Sequence, residues 1–219
     1  GLRAMKASSR RKYEKLPRPI ITHVAMDVQL YPNERRMIVN GRYDLKNETN
    51  APIRDVHVRQ EGRDTLFSRL DLSGARLVSY DKKFGYRIYR FDTPLAPGAT
   101  AEMNFVSQIW HRGFTAQSPA ADVIENGTFA NNTVFAPVIG MNRQSLLSDR
   151  AKRRRQGLPA ELRPAKLEDM SATAANYVDS DWVTSDIKVT TDADQTPIAP
   201  GNRVSDVTNG NRRTARFVS

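Results

Sequence analysis

Between Ile20 and Asn47 apolar and polar side chains alternate through two successive runs, joined by Tyr31-Pro32-Asn33-Glu34-Arg35. Val24, Met26, Val28 and Leu30 share one face of the first run, and Ala25, Asp27 and Gln29 share the other. The return run repeats the pattern, with Met37, Val39, Tyr43 and Leu45 against Arg36, Asn40, Arg42 and Asp44. A period of two is the signature of a half-buried strand, so this stretch predicts a long β-hairpin. Ile38 breaks the polar face, and Asn40-Gly41 reads as a β-bulge. Two strands alone are marginal in water, so a second sheet or a helix must cover the apolar face.

The following segments supply that second sheet. A polar turn at Asn47 to Pro52 leads to a third strand, Ile53 to Arg59, with Val56 and Val58 inward. Thr65 to Leu72 and Ala75 to Tyr80 are short strand candidates separated by Ser73-Gly74. Beyond the turn Asp81 to Gly85, Tyr86 to Phe91 is apolar on both faces, as suits a strand between layers. Thr93 to Gly98 reads as a loop, and Ala101 to Trp110 alternates again with Met103, Phe105 and Ile109 on one face. Strands spaced by turn signals every ~10 to 15 residues predict a mainly β chain, an antiparallel β-sandwich.

From Arg112 to Val138 the composition shifts to Gly, Ala, Ser and Asn with scattered aromatics, which predicts a long connection of the kind that carries function. One or two short helices are expected near 143–157, where Ser145 or Ser148 caps, the run Arg150 to Arg155 suits a helix C-terminus, and Gly157 terminates. Leu158 to Ala175 is irregular. Alternation returns at Asp181 to Thr191, followed by turns at Asp192 to Gln195, Ile198 to Gly201 and Asn209 to Asn211. A last strand starts at Arg213 and stops with the chain, as if a larger fold were cut there.

Residues 1–18 form a basic arm carrying Arg3, Lys6, Arg10, Arg11, Lys12 and Lys15, and 19–219 form the β domain. An arm of this kind is what a disordered leader or a cytoplasmic juxtamembrane tether contains. The net charge of +10 raises the question of phosphate-bearing partners. Its basic residues concentrate at Arg3–Lys15, Arg150–Arg155 and Arg203–Arg216, with no zinc-finger spacing, recognition-helix pattern or RNA-binding aromatic signature, so nucleic acid is not the expected partner. There is no cysteine, and no apolar run of membrane-spanning length.

Catalytic motifs are absent by spacing. His23, His57 and His111 do not fall in an H-E-x-x-H or H-x-H pattern, and there is no G-x-S-x-G or phosphate-binding glycine loop. Histidines in strands, such as His23 and His57, are expected at the surface. Trp110 and Trp182 read as core or layer-edge residues. Asn47-Glu48-Thr49, Asn126-Gly127-Thr128 and Asn131-Asn132-Thr133 match the glycosylation pattern, which arises readily by chance.

Several stretches together carry a family resemblance. Ile20-Ile21-Thr22-His23-Val24-Ala25-Met26-Asp27-Val28-Gln29-Leu30-Tyr31-Pro32, then Val39-Asn40-Gly41-Arg42-Tyr43-Asp44-Leu45-Lys46-Asn47, resemble the start of the amino-terminal domain of the aminopeptidase N family of zinc metallopeptidases. Pro137-Val138-Ile139-Gly140-Met141, Leu147-Ser148-Asp149-Arg150, Asp181-Trp182-Val183 and Thr190-Thr191-Asp192-Ala193-Asp194-Gln195 to Ile198-Ala199-Pro200-Gly201 extend it over most of 19–219. More specifically, the chain resembles the bacterial members fused behind an ABC-transporter permease. The resemblance implies a saddle-like β-sandwich packed on a catalytic domain that carries G-x-M-E-N and H-E-x-x-H, motifs that do not occur here.

It therefore implies no catalytic residue, metal ligand or cofactor in this chain, with zinc belonging to the parent protein's catalytic domain. The implied partners are that downstream domain, an upstream permease, and peptide substrate met through the parent. The implied location is that of a soluble domain of a bacterial inner-membrane protein, and the basic arm favours the cytoplasmic face if a membrane span precedes it. One position carries over: Thr128-Phe129-Ala130-Asn131 aligns with the family's Thr/Ser-Gln-x-Glu/Gln stretch, whose last residue meets the substrate amine, which makes Asn131 the substrate-binding candidate. Asparagine is shorter and neutral; its amide oxygen accepts a hydrogen bond where a carboxylate would form an ion pair. The residues alone also allow a free-standing binding or adhesion module.

Overall fold

The computed structural model describes residues 17–62, 64–110, 121–124, 127–130, 132–140, 154 and 183–219. The opening hairpin is β1 (Ile20–Tyr31) and β2 (Arg36–Lys46), joined by a 3-10 turn at Pro32–Glu34. Arg35 takes φ +48 to close that turn, its N–H donating to the Pro32 carbonyl at 2.9 Å. The other strands are β3 (Ile53–Arg59), β4 (Thr65–Leu72), β5 (Ala75–Asp81), β6 (Tyr86–Leu95), β7 (Thr100–Trp110), β8 (Ala121–Ile124), β9 (Gly127–Ala130), β10 (Val138–Ile139), β11 (Thr184–Asp192), β12 (Asn202–Asn209) and β13 (Arg212–Val218). A single helical turn, α1 (Asn132–Phe135), lies between β9 and β10.

Seven strands form one sheet in the order β12-β13-β11-β1-β2-β7-β4, and four form a second in the order β10-β3-β6-β5. The strands are the alternating segments of the sequence, and their apolar faces meet between the sheets. Met37, Val39, Tyr43 and Leu45 of β2 and Met103, Phe105 and Ile109 of β7 are buried with Val56 and Val58 of β3 and Tyr89 and Phe91 of β6. The Tyr89 hydroxyl donates to the Leu70 carbonyl at 2.5 Å, tying β6 of one sheet to β4 of the other. The chain is thus a mainly β sandwich. One pair departs from antiparallel order: β11 runs parallel to β1, in register from His23↔Thr184 to Gln29↔Thr190.

Several local expectations are corrected. Asn40-Gly41 is not a bulge, because β2 stays in register with β1 from Asp44 to Arg36 and the irregularity falls between Ile21 and His23. Gly41 is needed for space: a Cβ there would lie 2.0 Å from Cζ of Phe105, whose ring fills the site. Thr93–Leu95 is not a loop. β6 continues through Pro94 to pair Leu95 with Ile53, and the register shift between Ile53 and Asp55 accommodates a residue with no N–H to give.

The stretch 112–138, expected as a connection, contains the β8–β9 hairpin, α1 and β10. Val123-Ile124 and Thr128-Phe129 supply enough β-forming residues for a short ribbon. The strand expected from Arg213 starts one residue earlier, and β12 occupies the interval between two turns. The helix expected near 143–157 lies outside the described residues apart from Arg154, which is helical and exposed. No helix among the described residues is long and apolar enough to cross a membrane.

Candidate functional site

Asn131 itself lies outside the described residues, as do His111 and Trp182, but the frame around position 131 is visible on both sides. On the amino side β9 ends at Ala130, paired with Ala121 of β8, and β8 approaches the Pro32–Glu34 turn. On the carboxyl side α1 begins at once, with the Ala136 N–H donating to the Asn132 carbonyl at 2.8 Å. This turn sits directly on the β3–β4 connection. Thr65 Oγ1 donates to the Val134 carbonyl at 2.6 Å, and a Cβ on Gly62 would come within 2.2 Å of the same oxygen. Phe135, Ala136 and Ile139 then enter the core.

The end of β10 is fixed next. Ile139 pairs with Val58, and the Gly140 N–H donates to the His57 carbonyl at 2.7 Å. Gly140 takes φ +92, and the Arg18 side chain packs where its Cβ would project, at 3.1 Å from Nη1. Pro137 to Gly140 is therefore an anchor that returns the chain to the four-stranded sheet nine residues or fewer after position 131.

The same sheet edge holds His57, which is buried rather than at the surface. It faces away from Val56 and Val58, and the diagonal neighbour Tyr86 covers it, with the phenol oxygen 2.7 Å from Nδ1 and the rings 5.8 Å apart. Burial holds the imidazole below its ordinary range, opposed in part by the Asp55 carboxylate. Asp55 is itself held low by two hydrogen bonds from the Arg90 guanidinium, at 2.7 and 2.9 Å. The arrangement is a packed ion pair beside an imidazole whose Nδ1 ring nitrogen is taken up by the Tyr86 hydroxyl. Among the described residues no group of three or more His, Asp or Glu side chains is placed to hold a metal ion.

At the opposite end of the hairpin, the Tyr31 ring lies between two guanidiniums, Arg36 at 4.4 Å and Arg212 at 4.6 Å from its centroid. Arg212 also donates to the Leu30 carbonyl at 2.7 Å and to Asp192 at 3.0 Å, and Asn33 reaches Asp192 at 3.3 Å. β13 and β11 are thereby locked to the turn that β8 approaches. Alternation along a strand carries no sign of this clasp, since its members lie far apart in sequence and meet only through the sheet order. The His57–Tyr86 contact was hidden for the same reason.

Two sequence patterns lose their functional reading. The Asn47 sequon is structural: Asn47 is fully buried, its amide nitrogen donates to the Ala51 and Leu95 carbonyls at 2.9 and 2.8 Å, and its oxygen accepts from the Thr49 N–H and hydroxyl. The basic residues of Arg203–Arg216 are matched by carboxylates. Arg203 and Arg213 meet Asp206, Arg212 meets Asp192, and Arg216 meets Asp186. Trp110 ends β7 at the sheet margin, half exposed, as a layer-edge residue.

Among solved structures, a point mutant of the M1 zinc metallopeptidase of Deinococcus radiodurans matches this chain with a TM-score of 0.56 and 13% identity, over 92% of this chain and 39% of that one. The unmutated protein matches with a TM-score of 0.53 and 14% identity over the same shares. This chain shares their fold. Legionella pneumophila aminopeptidase A, in complex with aspartic acid, matches with a TM-score of 0.51 and 9% identity over 95% of this chain and 20% of its own. The chain thus spans about two fifths of one neighbour and one fifth of the other. No protein-family model and no curated protein matches it by sequence.

Proposed function

We propose that this chain is the non-catalytic, amino-terminal β-sandwich of an M1-type aminopeptidase-like protein. The observation that carries the reading is the fold match over 92% of the chain to 39% of a zinc metallopeptidase, which leaves most of that protein's length for other parts. The Deinococcus protein has been captured with a Tyr-Ser-Ala substrate. In this reading metal chemistry falls to a catalytic domain packed against the sandwich. Residues 1–18 act as an arm toward a membrane part, an ABC permease of a bacterial inner membrane, with the domain on the cytoplasmic face.

Asn131 forms part of the wall of the peptide cleft. The β8–β9 hairpin, α1 and the Gly140 anchor hold the segment around it, and its amide oxygen accepts a hydrogen bond from the free amine of the substrate. The test is made in a protein that carries both the sandwich and the catalytic domain. Asn131→Ala is expected to raise KM for an unblocked aminoacyl substrate by about tenfold, the value of one hydrogen bond to a charged group. Asn131→Glu is expected to lower it by ion pairing. Unchanged KM in both variants would remove Asn131 from the cleft.

A further inference from the structure

The β5–β6 hairpin ends in Asp81-Lys82-Lys83-Phe84-Gly85, and its geometry turns the side chains outward. One Asp81 carboxylate oxygen accepts from the backbone N–H groups of Lys83 and Phe84, at 3.1 and 3.3 Å, and Gly85 closes the turn at φ +57. The carboxylate thus serves the backbone of the turn, and among the described residues neither Lys82 nor Lys83 is in an ion pair. Elsewhere on the strands basic side chains are matched, as in Arg42–Asp44, Arg69–Asp71 and Arg90–Asp55.

The tip is also apolar. Phe84 is 44% exposed and Tyr80 39%, and Leu77 and Val78 continue the exposed edge along β5. Four of the nine exposed large apolar side chains among the described residues therefore belong to this one strand and its turn. Lys83 Nζ lies 5.7 Å from the Phe84 ring centroid, so charge and aromatic surface are presented together. Arg87, stacked 4.0 Å from the Tyr80 ring centroid, stiffens the hairpin behind them.

We infer that the β5–β6 tip is a contact for an anionic membrane surface, with Lys82 and Lys83 at the lipid phosphates and Phe84 at the headgroup–acyl boundary. Unpaired ammonium groups are drawn to the negative potential of such a leaflet, and an exposed aromatic beside them gains by leaving water. Charge argues against a second copy of this chain as the occupant, since that copy would bring the same two lysines and a net charge of +10. The contact does not depend on a catalytic partner.

The chain has no cysteine, so a single one reports its own position. Phe84→Cys, labelled with an environment-sensitive dye, is mixed with phosphatidylcholine vesicles containing about 30% phosphatidylserine. Val207→Cys on β12 is the control. The basic residues between Arg3 and Lys15 also favour anionic vesicles, so the position-specific signal decides rather than sedimentation.

The position-84 dye is expected to shift to the blue and brighten with anionic vesicles, not with pure phosphatidylcholine, and to revert in about 0.5 M salt. In the same background, Lys82→Glu with Lys83→Glu is expected to weaken the response about tenfold or more, and position 207 to stay silent. A silent position 84 on chains that sediment with the vesicles overturns the inference. So does an equal response to soluble polyglutamate, which would assign the tip to acidic protein instead.

Discussion

At the centre of the seven-stranded sheet β2 and β7 bury whole faces against the second sheet, whereas at its β13–β12 margin every residue of β12 is exposed and arginine–aspartate pairs line the surface. Both regions are antiparallel ladders, continuous between β2 and β7 and interrupted between β12 and β13 only by a register shift at Arg203/Ser205. They differ in what the side chains do. Removal of apolar area from water stabilises the centre in proportion to area, while exposed ion pairs contribute little and are screened by salt. Fold stability therefore resides at β2, β3, β6 and β7, and the margin is left as surface for other contacts.

Substitutions that open the centre should have the largest effect. Phe105→Ala removes the ring that fills the space above Gly41 and is expected to cost about 3 to 5 kcal/mol, read from the midpoint of urea unfolding. Gly41→Val drives a side chain into that ring and should unfold the domain outright; a variant as stable as the parent would show the ring free to move aside. Asn47→Ala comes next. It removes the buried amide, leaving the Leu95 carbonyl without its side-chain donor and the Ala51 carbonyl with the Thr49 hydroxyl alone, at about 2 to 3 kcal/mol. Asn47→Asp should be no better, because a carboxylate cannot donate to either carbonyl.

The His57 effect is smaller and depends on pH. Burial lowers the imidazole pKa in the folded state, so the unfolded chain binds the proton more readily. Stability is complete above the unfolded histidine pKa of about 6.5 and declines as pH falls from there through the lowered folded value. Melting temperatures measured between about pH 7.5 and 5 should fall less steeply for His57→Asn than for the parent. Equal slopes would remove His57 as the source. Asp55 titrates lower still, because Arg90 holds it down, and does not contribute in that window. At the margin, Asp206→Ala should leave the unfolding midpoint unchanged within error, despite contacts with both Arg203 and Arg213.

The same contrast explains what could be read in advance. Val24 to Leu30, Met37 to Leu45 and Met103 to Ile109 carry a period of two because one face is buried, so their strands and inward residues were legible. Turns at Ser73-Gly74 and Asn209 to Asn211 were legible from their residue chemistry. Features set by distant partners were not. Gly41 resembles a bulge until Phe105 is placed against it, Pro94 looks like a loop residue until the register shift at Ile53 is known, and the parallel β1–β11 pair joins segments separated by more than a hundred residues. The frame around Asn131 was visible only as a polar, amide-rich stretch.

The central claim is that this sandwich supports chemistry performed by another domain, and turnover measures it most directly. The 219-residue chain is assayed on an aminoacyl chromogenic substrate with added zinc, alone and within a protein that carries both the sandwich and a catalytic domain. The account predicts no turnover by the chain alone and chelator-sensitive turnover by the protein that carries both. Chelator-sensitive turnover by the chain alone would contradict it.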